Sequence, residues 1–312
     1  AGHVITTGVE NTLIGGLVGD SLIDADENTA MGKAALTSDT YGSRSTALGQ
    51  GTLAAQNFTT ATQTYNTAVG FQAGNAVTTG KQTTLVGGLA GDALTTGLYN
   101  TAVGYSALGY DQQGDYSTAV GWAALGDQRS DGAGQDVYNT AFGAMAGNSL
   151  TTGIKNTFIG GECGANGVVT GDSSVGVGFK ALYELTVGTQ NVAVGSEALG
   201  DITTGERNTA VGTLALSYDQ EGDYSVAMGY SALENQRSDA TGQNIYNTAV
   251  GAFAGEELTT GVQNTLIGAE AGGGAALTGD DNVAVGYSAL TANTSGIDNV
   301  AIGMSALITN TS

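Results

Sequence analysis

The chain has 312 residues and a formal charge of -21, from 29 Asp and Glu against 8 Lys and Arg. Phosphate backbones and anionic membrane surfaces are therefore disfavoured partners. With one His and one Cys, it cannot assemble a disulfide framework, a Cys/His zinc set or a serine triad within one copy.

Residues 66–70 read Asn-Thr-Ala-Val-Gly and recur at 100–104, 208–212 and 247–251, with close variants between, such as Asn-Thr-Ala-Phe-Gly at 139–143. The closing glycine marks seventeen copies, from Gly15 and Gly32 through Gly49, Gly70 and onward to Gly286 and Gly303. Most spacings are 17 residues, and the exceptions are 18, 21 or 22. A fixed period of this length marks a solenoid, in which each repeat is one coil that buries its apolar side against its neighbours. The sequence predicts an all-β parallel β-solenoid of about 17 residues per coil and 17 coils, forming one repetitive domain over residues 1–312.

We number the Asn as position 1 and the glycine as position 5. Position 2 is Thr or Val from Thr12 to Val300, position 4 is a larger apolar residue from Ile14 to Ile302, and position 3 is usually Ala. That alternation predicts a short strand with positions 2 and 4 together on one face, expected to be the buried one. The glycine at position 5 ends the strand, by a positive φ or by lying against the next coil. Position 8 is Ala in all copies but those with Val18, Thr52 and Cys163, and position 9 alternates between Leu and Gly; a second strand facing a narrow interior is expected there. A further glycine precedes position 1 by three residues in most copies but is missing before Asn28, Asn66, Asn139 and Asn247, the last three being the copies where four or five residues are inserted, so a turn is expected at that point.

A longer order overlies the first. Residues 70–177 and 178–285 are two six-coil blocks, and Tyr110 to Ser117 returns as Tyr218 to Ser225. The opening and closing residues match the middle of internal coils, so a piece of a longer fibre is expected. Stacked at about 4.8 Å, seventeen coils would make a rod of roughly 80 Å. One coil's apolar set is meagre, so contact between chains is expected to supplement it.

The Asn-Thr-Ala-Val-Gly-Tyr-Ser-Ala-Leu stretch at 100–108, and its variant at 282–290, resembles the YadA-like haemagglutinin head repeats of trimeric autotransporter adhesins. It is more similar to the N-T-A-V-G-Y repeats of bacteriophage tail-fibre proteins, because adhesin-head coils are nearer fourteen residues. The resemblance implies a left-handed β-roll, an intertwined homotrimer, and an extracellular role in attachment on a virion or bacterial surface, with a cell-surface glycan or receptor as partner. Membrane insertion of this segment is not expected, since no apolar run is long enough.

Enzymatic chemistry and cofactors are not expected. The one carboxylate pairing to weigh is Asp111 with Asp115, repeated as Asp219 with Asp223; these are expected as solvated turn residues, with glycan hydrolysis or calcium binding (Asp219, Glu221 and Asp223) as the alternatives. Cys163 is expected as a buried small residue. Tyrosines before position 1 (Tyr65, Tyr99, Tyr116, Tyr138, Tyr224, Tyr246) and aromatics after position 5 (among them Trp122 and Tyr230) are expected to form columns, through packing or as a stacking surface for sugars. Repeated Thr-Thr-Gly, as at Thr78 and Thr95, is expected as turn chemistry rather than an ice-binding ladder. The inserted loops are the places for recognition, with Arg129 and Arg237 pairing with Asp131 and Asp239 or meeting an acidic glycan.

Overall fold

A computed structural model describes residues 1–130, 132, 134–238 and 242–309. Two compact units are distinguished, Ala1–Lys155 and Asn156–Ser312, and each is a parallel β-solenoid. Among the described residues there is no helix, and so none long and apolar enough to cross a membrane.

In the first unit, three-residue strands run from Thr12–Ile14 and Thr29–Met31 to Thr118–Val120 and Thr140–Phe142. Each pairs in parallel with the strand one repeat away, position 2 opposite position 2 and position 3 opposite position 3, as in Thr101 opposite Thr118 and Ala102 opposite Ala119. In the second unit, the strands from Thr157–Ile159 to Val300–Ile302 pair in the same way. Position-for-position register follows from the repeat, since equal coil lengths return each residue type above its counterpart.

The orientation of the strand corrects the sequence reading. Position 3, not positions 2 and 4, faces inward: Ala102, Ala119, Ala210 and Ala227 are fully buried, while Thr101 and Val103 are half-buried and Met228 is exposed. At position 3 an Ala fits in most laps beside the larger side chains that occupy the rest of the interior. The inner column also holds the position 8 alanines and a Leu, Val or Ile seven residues beyond the glycine, such as Leu22, Leu94, Leu185 and Ile202.

The alternation at position 9 is volume compensation. Where position 3 is large, at Leu13, Leu85, Phe158 and Leu266, position 9 of that coil is Gly19, Gly91, Gly164 or Gly272. A Cβ on Gly91 would come within 2.8 Å of Leu85 Cδ2, and one on Gly74, a coil earlier, within 2.6 Å of Leu85 Cδ1. One Leu from position 3 thus fills space that position 9 leucines fill elsewhere.

No second strand forms at positions 6–9. Position 7 carries positive φ in Ser106 and Lys180, and position 9 in Leu108 and Leu182, as does the residue before position 1 in every coil, Tyr99 and Arg207 included. Alternating left-handed residues turn the backbone too sharply for a strand. The turns still stack, through bonds such as Leu108 N–H to Ala124 O at 2.9 Å. Glycine at position 5 has φ of +136° at Gly104, and a Cβ there would strike the carbonyl of Gly121. The glycines before position 1 have a different cause from the expected turn: Gly97 is not in the left-handed region, but a Cβ would lie 2.6 Å from Gly114 O in the next coil.

That glycine carbonyl is one end of a buried amide rung. Asn100 Nδ2 donates to Gly114 O at 2.7 Å, and Asn100 Oδ1 accepts from Ser117 N–H at 2.8 Å. The rung repeats at Asn28, Asn208 and Asn282, and all of these Asn are buried. Asn is suited to the task because its side chain carries an acceptor and a donor on one planar group.

Asn100→Ala should lower stability by about 2–4 kcal/mol, since the Gly114 carbonyl and the Ser117 amide both lose a buried partner; urea unfolding checks this. Leu85→Ala should cost about 2–5 kcal/mol through its cavity, and adding Gly91→Leu should recover part of that loss, measured by the same unfolding curves.

Candidate functional site

The departures from regularity are where chemistry-bearing side chains gather. At three places the apolar column seven residues past the glycine changes to Asp in one coil and Gln in the next: Asp39 and Gln56, Asp111 and Gln128, Asp219 and Gln236. In the same coils as those glutamines, position 1 is Ser45, Ser117 or Ser225. These are the coils immediately before the insertions, where no glycine carbonyl remains for an Asn to hold.

The structure joins these substitutions into one buried network. Gln128 Nε2 donates to Asp111 Oδ2 at 2.5 Å and to Ser117 Oγ at 2.9 Å, while Gln128 Oε1 accepts from Asn139 Nδ2 at 3.0 Å. Asp111 Oδ1 also accepts from Gly114 N–H at 3.2 Å and from Ser130 Oγ at 2.8 Å. Asp219, Gln236, Ser225 and Asn247 repeat the pattern in the second unit. Asp39, Gln56, Ser45 and Asn66 repeat it again in the first. Each network ties three consecutive coils.

Asp111 and Asp219 are therefore fully buried acceptors and not solvated turn residues. Asp115 and Asp223 are also buried, and each accepts a backbone N–H through Oδ1, from Leu98 at 2.7 Å and Glu206 at 2.6 Å. Burial pushes both carboxyls above their ordinary range, and those N–H bonds pull them partly back. Among the described residues no group of three or more His, Cys, Asp or Glu is placed to hold a metal ion. Cys163 is buried as expected, and burial pushes its thiol up to about 12.

Above two of the networks lie concave surfaces. In the first unit a groove of about 540 Å³ is lined by Ala93, Tyr110, Gln112, Gln113, Arg129 and Ser130. In the second, Tyr218, Gln220, Glu221, Arg237 and Ser238 line one of about 280 Å³. Each guanidinium lies over a tyrosine ring, Arg129 at 5.8 Å from the Tyr110 centroid and Arg237 at 5.9 Å from that of Tyr218. The two arginines singled out in the sequence are thus placed in equivalent grooves. Their suggested partners Asp131 and Asp239 lie outside the described residues.

Trp122 and Tyr230 are not among the groove-lining residues. Both are exposed beside the outer strand face, and Tyr230 packs edge-on against Phe253 at 5.2 Å. The column before position 1 does form: Tyr99, Tyr116 and Tyr138 stack with centroids 4.8 and 4.9 Å apart, and Tyr224 stacks on Tyr246 at 5.1 Å. Stacked rings cover one another's faces, which leaves edges for any ligand. In Thr-Thr-Gly the first hydroxyl is spent between coils, as when Thr95 Oγ1 donates to Gln112 O at 2.8 Å and Thr203 Oγ1 to Gln220 O at 2.9 Å, while the second, at Thr96 and Thr204, is buried without a hydrogen-bond partner.

Sequence reasoning missed Tyr110 and Tyr218 as partners of the arginines, and missed the networks beneath them. The signal was present in the switch from Leu to Asp and Gln at one column position. No family model matches the chain, and no curated protein matches it. The fold and its sites define a parallel β-solenoid repeat protein with two equivalent arginine–tyrosine grooves.

Asp111→Ala should cost about 3–5 kcal/mol, because it strips the Gln128 amide and the Ser130 hydroxyl of a buried charged acceptor. Asp111→Leu combined with Gln128→Leu, which restores the usual apolar column, should recover much of that loss in thermal melts.

Proposed function

We propose that the chain is a structural and adhesive segment of a trimeric attachment fibre, most simply a bacteriophage tail fibre, and that it spaces or presents a surface that binds a host cell. The observation that carries this reading is the strand face left uncovered by one chain. In each unit the larger apolar side chains at position 4 point outward as a band beside the Thr or Val of position 2, with Met31 47% and Phe142 58% exposed in the first and Met228 44% and Ile267 40% exposed in the second. Exposed aromatics beside the band, such as Phe71, Tyr105 and Tyr287, extend it. Bands of this extent on a chain this acidic mark an interface.

A further copy of the same chain is the natural occupant. The band repeats with every coil, and a partner must offer apolar side chains at the same spacing; another copy does so by construction. Three copies winding as a left-handed β-roll is the arrangement that the repeat's resemblance to tail-fibre and YadA-like head sequences suggests. The same resemblance supports an extracellular location and attachment as the role. A bacterial trimeric surface adhesin is the alternative carrier of the same architecture. The reading is non-enzymatic: the carboxylates first weighed for hydrolysis serve as buried hydrogen-bond acceptors.

Light scattering should give three times the 30.9 kDa chain mass, about 93 kDa. Val103→Asp with Val120→Asp, both on the outer face, should release chains of single mass that keep the β-rich circular dichroism spectrum. A wild-type chain that runs as a monomer at any concentration would remove the trimer and the fibre with it.

A further inference from the structure

We propose that the two arginine–tyrosine grooves, around Arg129 and around Arg237, are equivalent binding sites for a neutral saccharide unit. The inference rests on the attachment reading for its biological sense, and it adds the chemistry of the ligand and the residues that hold it.

Three observations converge on it. The first is preorganisation. Arg129 stands between Gln128 and Ser130, and both are bonded to the buried Asp111 carboxylate. Arg237 stands likewise between Gln236 and Ser238, both bonded to Asp219. The exposed guanidinium is thus mounted on side chains locked by a buried charge, which lowers the ordering cost of binding.

The second is an internal control. The third network, built on Asp39 and Gln56, has the same buried bonds but carries Ser38, Asn57 and Phe58 where the others carry Tyr110 or Tyr218, Arg129 or Arg237, and Ser130 or Ser238. The scaffold therefore does not demand the Arg and Tyr. They also persist between the two blocks where neighbouring residues have changed: Gly126 and Asp127 in one correspond to Glu234 and Asn235 in the other.

The third is the lining chemistry. Tyr offers a ring for the C–H face of a sugar and a hydroxyl that donates or accepts. Gln112, Gln113 and Gln220 offer amides that pair with hydroxyls in either sense, and the arginine donates. About 540 Å³ and 280 Å³ suit one or two sugar rings. The second groove replaces Gln113 with Glu221, and Asp201 lies within the electrostatic reach of Arg237. A carboxylated sugar would be repelled there, whereas a neutral one finds hydroxyl partners in both grooves. That choice differs from the acidic glycan weighed from the sequence.

The test is isothermal titration of the intact chain with neutral trisaccharides built on glucose, galactose or mannose, beside glucuronate- and sialate-bearing counterparts. At least one neutral probe should bind saturably at two sites per chain. Arg129→Ala with Tyr110→Ala should leave one site, and adding Arg237→Ala with Tyr218→Ala should leave none. All four residues are exposed, so unchanged melting temperatures should accompany those losses. Saturation by no neutral probe, binding of acidic probes alone, or two sites surviving the four substitutions would overturn the proposal. Cell attachment by the four-substituted chain separates the two readings: if it persists after sugar binding is lost, the grooves stand and attachment lies elsewhere. If wild-type chain attaches to cells but no sugar binds, the grooves fall and the fibre remains.

Discussion

Everything in this molecule follows from a narrow interior held together by side-chain amides. Coils stacked at strand spacing bring backbone within van der Waals reach of backbone, as the glycine contacts at Gly97 and Gly104 show. A lumen that small admits Ala, one or two larger apolar side chains per coil and the planar amide of an Asn. The Asn then satisfies two backbone groups of the next coil that no strand ladder reaches, at the corner before position 1. The larger apolar side chains of position 4 lie on the outside of the strand, and they form the apolar band on which the proposed assembly depends.

Regularity carries its own hazard. Seventeen coils that differ little could pair one lap out of step at small cost, since many strands meet another of the same pattern, as Thr101 and Ala102 meet Thr118 and Ala119. The Asp–Gln–Ser–Asn networks oppose such slips, because an Asp111 shifted by one lap would meet an apolar residue instead of Gln128. Buried polar groups of this kind fix registry at some expense in stability. They sit where a loop is inserted, so one device both accommodates the insertion and holds the residues that line a groove above it.

The period was legible because it is a count, and strand positions, parallel stacking and glycine sites follow from a count. The facing of the strand was not, since Thr-Ala-Val alternates equally well in either sense; coil width decides it, and width is set by contacts between laps. Position 9 looked like arbitrary alternation until its partner at position 3, six residues earlier, was placed beside it. Asp111 and Asp115 looked like turn residues because local sequence there is polar and glycine-rich, whereas their burial comes from residues 17 or more positions away. Arg129 and Arg237 were found for a plain reason: cations are scarce in this chain.

The most direct test of the account is a density map of the assembled molecule resolved to side chains. The account predicts Asn and Ala inside each chain, with the Thr or Val at position 2 and the larger apolar residue at position 4 buried against neighbouring chains. A map in which those outer side chains meet only water, or in which the Asn amides project outward, would contradict it.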